Sequence, residues 1–117
     1  FLRKVFEIFE RYKTPIDMIT TSEVAISLTI DDTRNLQDII KEVEDFGSVS
    51  VDEDQTIVCV VGDFGLNTHG YAARVLDAVK HLPVRMISYG GSDYNVSMLL
   101  SSAHKTEALR SLHNRLF

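Results

Sequence analysis

The chain has 117 residues, 44% of them hydrophobic and 25% charged, with a formal net charge of −5, enough for one ordinary domain or for two very small ones. Acidic and basic residues are interspersed with no basic stripe that could track a phosphate backbone, so nucleic acid is excluded as an expected partner. A lone cysteine excludes an internal disulfide framework and the apolar runs are too short to span a bilayer, so a reducing, cytoplasmic setting is expected.

In chain order, Leu2, Val5, Phe6, Phe9 and Tyr12 recur at helical spacing and predict an opening helix that Pro15 must stop. A domain seldom begins inside such a pattern, and a piece of a longer protein is expected. Residues 16 to 21 and 24 to 30 alternate with period two and predict two strands, with Val24, Ile26, Leu28 and Ile30 on one face. "DDTRNLQDIIKEVEDF" opens on Asp/Thr capping chemistry and sets Leu36, Ile39, Ile40, Val43 and Phe46 at helical spacing before Gly47 ends it. "SVSVDED", residues 48 to 54, reads as a strand, and so does "QTIVCVVG", within which Cys59 is expected as a small buried hydrophobe. A helix over about 69 to 82, strands over about 84 to 89 and 95 to 100, and a helix over about 104 to 115 complete the chain.

An internal repeat organises these elements. Val5, Phe6, Phe9 and Tyr12 match Val75, Leu76, Val79 and Leu82, and after a two-residue adjustment Pro15, Ile16, Met18 and Ile19 match Pro83, Val84, Met86 and Ile87. "ISLTI" at 26 to 30 answers "VSMLL" at 96 to 100. Two tandem copies are expected, over 1–53 and 54–117. The first reads helix, strand, strand, helix, strand; the second reads strand, helix, strand, strand, helix. Each is one strand short of βαββαβ, the split ferredoxin-like unit, so the fold expected is α+β with antiparallel sheets. An absent strand leaves an open sheet edge, and pairing with another chain would cover it.

No catalytic constellation is present. His69, His81, His104 and His113 are scattered without ligand spacing, and no metal site is expected. "GDFGLNTHG", residues 62 to 70, has neither the Lys-Ser/Thr of a phosphate loop nor the dinucleotide fingerprint, and a plain strand-to-helix connection accounts for it. The central strands offer Val, Ile, Leu and Met where an RNA-recognition module needs stacking aromatics. What remains is "PIDMITTSEVAIS", which sets Asp17, Thr20, Thr21, Ser22 and Glu23 between two apolar strands.

Two accounts of that cluster stay open. It is a strand-end turn, or it recognises a ligand. The second copy builds the same place from glycine, "SYGGSDYN", where the first has functional groups. Asp17 and Glu23 can accept from ammonium donors, while Ser22, Thr21 and free backbone N–H groups can hold a carboxylate. The start of the helix holding Phe1 and Leu2 would add partial positive charge. An amino acid is the simplest molecule with that complement.

"FLRKVFEIFERYKTPIDMITTSEVAISLTID" resembles the first of the paired regulatory ACT domains at the C-terminus of aspartokinase, in the lysine-sensitive, monofunctional class. There a helix opening with Gly-Phe-Leu leads to a Val-Asp-Leu-Ile-Thr-Thr-Ser-Glu-Val strand. "VRMISYGGSDYNVSMLL" is similar to the second domain's Ile-Arg-Met-Ile-Cys-Tyr-Gly-Ala-Ser segment, and "LHNRLF" resembles the usual end of that enzyme. The resemblance implies two tandem ferredoxin-like ACT domains that sense an amino acid and hold no catalytic residue. In such an enzyme a preceding kinase domain uses ATP and Mg to phosphorylate the side-chain carboxylate of aspartate, the first step towards lysine, threonine and methionine. It also implies that one ACT domain is inserted in the other, so that the second takes its last strand from before the first.

Lysine in that family sits between ACT domains of two subunits. The matching positions are Phe1 and Leu2 at the helix start, Ile16 and Asp17 on the strand, and Thr21, Ser22 and Glu23 at its end. Asp17 and Glu23 would read the amino groups, and Ser22 with the helix-start amides the carboxylate. The alternatives are a structural dimerisation module without a working effector site and a sensor of threonine or S-adenosylmethionine.

Overall fold

A computed structural model describes residues 1–62, 70–89 and 95–117. The glycine-rich connection over 63–69, with His69, and most of the "SYGGSDYN" turn, over 90–94, lie outside the described residues. The chain divides into two compact units, Phe1–Val51 and Asp52–Phe117.

The first unit runs α1 (Leu2–Arg11), β1 (Met18–Thr21), β2 (Ile26–Thr29) and α2 (Leu36–Val43). The strands form an antiparallel hairpin, with Met18 opposite Thr29 and Thr21 opposite Ile26. Val5, Ile8 and Phe9 of α1 and Ile39 of α2 are buried together, flanked by Tyr12, Ile16, Ile26, Leu28, Ile30, Val43 and Phe46. The hydrophobic stripe of α1 is thus centred one position away from the spacing first read. Ile8 is inside, while Leu2 and Phe6 remain 40% and 42% exposed. A stripe this wide on a ten-residue helix cannot all face one hairpin.

α1 ends on a left-handed residue. Lys13 has φ 52°, its N–H donates to Glu10 O, and the N–H of Thr14 reaches back to Phe9 O at 2.9 Å. This is the Schellman pattern, usually closed by glycine, with Pro15 following two residues on. Lys13→Gly should therefore raise stability by up to about 1 kcal/mol in urea unfolding, because a side chain at positive φ is strained.

α1 and α2 are antiparallel. Asn35 Nδ2 donates to Tyr12 O at 3.0 Å, joining the start of α2 to the end of α1, while the Phe1 ring meets the Phe46 ring edge-on at 5.5 Å. The Asp/Thr capping expected before α2 takes another form, since Asn35 is the N-cap and makes no side-chain cap bond of its own. Asp32 instead accepts from the N–H of Arg34 at 3.0 Å and from its guanidinium.

Those bonds from Arg34 hold the Asp32 carboxyl down from 3.8 to about 2. A depressed carboxylate contributes stability that is complete above its unfolded value and is lost as pH falls through the folded one. Asp32→Asn should flatten the acid limb between about pH 4 and pH 2 in thermal unfolding, by removing this contribution at neutral pH while leaving stability below about pH 2 unchanged.

The second unit runs β3 (Gln55–Val61), α3 (Tyr71–Ala78), β4 (Met86–Ser88), β5 (Asn95–Ser101), a 3₁₀ turn (Ser102–His104) and α4 (Lys105–Leu116). The sheet order is β3-β5-β4. β5 is antiparallel to both neighbours, with Val58 opposite Met98 and Ile87 opposite Met98. β3 and β4 are therefore parallel, joined through α3 with a strand inserted between them, which is the split βαβ arrangement.

Val58, Val60, Val75, Ala78, Val79, Leu82, Val96, Met98, Leu100, Ala108 and Leu112 form its core. Cys59 corrects the expectation of burial. The strand alternates, Val58 and Val60 point inward, and Cys59 is exposed on the other face with its Sγ 3.1 Å from Ser97 Oγ.

Two further expectations fail in the first unit. Val24 is 86% exposed at the hairpin tip, outside the strand whose face it was to share. Residues 48–54 form no strand. Among the described residues no strand pairs with this segment. An extended segment becomes a strand only when another backbone takes its N–H and C=O groups.

Candidate functional site

β1 and its hairpin set most of the candidate positions in a row. Ahead of β1, the N–H of Asp17 donates to Thr29 O at 2.9 Å and the N–H of Met18 to Thr29 Oγ1 at 3.0 Å. Two residues face one, as in a β-bulge. This resets the alternation, so Ile16 can pack on the core while Ile19, opposite Leu28, keeps the same face. Asp17 falls between them and is exposed. No apolar-polar pattern announces the bulge, because it depends on the threonine across the hairpin.

At the other end of β1, Thr21 pairs with Ile26. The N–H of Ser22 donates to Ala25 O at 2.8 Å, and its hydroxyl donates to the same oxygen at 3.4 Å. Glu23 and Val24 form the exposed tip. The Ser22 amide is thus not among the free backbone N–H groups, since the hairpin closes on it first.

α1 supplies the third part. Phe1 is its N-cap and offers no side-chain acceptor, and no acidic residue stands in the first turn. The first N–H groups of the helix consequently keep their partial positive charge without a side-chain cap. Phe1 is 60% exposed although its ring packs on Phe46, and Leu2 is 40% exposed. A short link over 12–17 reverses the chain between α1 and β1, and the cluster that buries α1 takes in Ile26 and Leu28 of β2, the strand paired with β1. The start of α1 and the Thr21–Glu23 end of β1 therefore lie towards the same end of the unit, and Asp17 towards the other.

At the opposite end of α1, Glu42 is held below the usual carboxylate range by the Tyr12 hydroxyl and by the Arg11 guanidinium. That cluster ties α1 to α2. Among the described residues no three or more His, Cys, Asp or Glu side chains gather as a metal site, and no helix is long and apolar enough to cross a membrane.

The family model for the ACT domain matches residues 58–116, which hold the split βαβ sheet and both helices of the second unit. The chain belongs to the ACT-domain family, an α+β fold with antiparallel sheets. Its relatives are aspartokinases, and the part it resembles is their C-terminal regulatory region. Lysine-sensitive aspartokinase 3 of Escherichia coli is 31% identical over 125 residues, covering 100% of this chain and 28% of that enzyme.

A structure provisionally assigned as a C-terminal regulatory domain of aspartate kinase from Porphyromonas gingivalis W83 is 52% identical, with a TM-score of 0.90. It covers 99% of this chain and 79% of that one. The T-state structure of E. coli aspartokinase III in complex with lysine and aspartate is 32% identical with a TM-score of 0.84, covering 100% of this chain and 27% of the enzyme. The chain thus spans little more than a quarter of the E. coli relative it matches.

Proposed function

We propose that residues 1–53 and 54–117 form a tandem pair of ACT domains that binds lysine between two copies of the chain and feeds back on an aspartate kinase. The carrying observation is that Thr21, Ser22 and Glu23 form an exposed hairpin end towards the start of α1, with Asp17 exposed ahead of β1, in a chain whose relatives include a lysine-sensitive enzyme. The kinase domain, with its ATP and Mg, would belong to another part of the same protein, and residues 1–117 would need no cofactor. A cytoplasmic location is part of the same reading.

The strand geometry favours a shared site. Six residue steps separate Asp17 from Glu23, up to about 20 Å along an extended chain. The amino groups of lysine are about 8 Å apart at full stretch. Strand side chains stand perpendicular to the sheet, so the two carboxylates of one chain do not converge on one ligand. In a twofold pair, Asp17 of one copy can meet the Ser22 and Glu23 turn of the other. Phe1, Leu2, Phe6 and Val24 are exposed large hydrophobics of this same unit, suited to burial between copies.

Inhibition then requires that lysine bind two quaternary arrangements unequally, since a ligand with equal affinity for both shifts nothing. One observation favours the second reading, a structural dimerisation module. Ser22 already spends its N–H and hydroxyl on Ala25. Calorimetric titration with lysine, threonine, methionine and S-adenosylmethionine separates the readings. Saturable heat with lysine alone is expected, heat with threonine or S-adenosylmethionine alone reassigns the effector, and heat with none leaves the structural module.

A further inference from the structure

We draw no further inference here: the strongest candidate, the apolar groove of about 420 Å³ between the open edge of β3 and helix α4, lined by Val58, Val60, Leu109, Leu112 and Phe117, is an unpartnered sheet edge, and nothing in the structure shows what covers it.

Discussion

Lysine at a hundred times its dissociation constant should stabilise the protein by about 2.7 kcal/mol, and Asp17→Ala should abolish that increment. The same variant without lysine should stay within about 0.5 kcal/mol of the parent, because the Asp17 side chain is exposed and only its backbone N–H holds the bulge. Thermal unfolding with and without lysine reads both quantities. Ser22→Leu is the companion variant. It keeps the amide bond to Ala25 O that closes the hairpin, so it should fold, yet it removes the hydroxyl that would turn from Ala25 O to donate to the ligand carboxylate. If Asp17→Ala keeps the full lysine increment, Asp17 is not a contact and the assignment of the ammonium-binding side is wrong.

Leu100→Ala should cost about 2–5 kcal/mol, the largest change expected without a ligand. Leu100 has 0% exposure in β5, in a core built from both β3 and the two helices. Removing its branched end leaves a void that a three-stranded sheet paired on both sides of β5 cannot collapse to fill. Leu109→Ala is the control. Leu109 is 49% exposed on α4, and its loss should stay within about 0.5 kcal/mol. Urea unfolding followed by far-ultraviolet circular dichroism distinguishes them. Equal effects from the two leucines would show that the core is not where the packing puts it.

Much of the fold is legible locally. Helical spacing marks α1 and α2, period-two alternation marks β1 and β2, an apolar run marks β3, and Pro15 and Pro83 follow α1 and α3 where each helix has ended. Boundaries are less legible. α3 spans Tyr71–Ala78 rather than residues to 82, and the turn that follows still buries Val79 and Leu82, so the apolar period outlasts the helix. The candidate site divides likewise. Its side chains are visible as an unusual density of carboxylates and hydroxyls, and the Ile-Thr-Thr-Ser-Glu-Val string carries the family likeness. Which of its donors are already engaged is invisible until Thr29 and Ala25 are placed.

The sequence by itself determined the faces, since a residue's spacing decides which side of a helix or strand it can occupy whatever lies opposite. It also determined the chemistry available at the hairpin. Only the tertiary structure decided which face was used. It chose Ile8 over Leu2 and Phe6 within one wide apolar stripe, turned Cys59 outward while Val58 and Val60 filled the core, and left 48–54 outside any strand. Each of those outcomes depends on a partner distant in the chain. Side-chain pattern records a preference for burial, but backbone pairing and packing need a second surface, and its position is not a property of the segment itself.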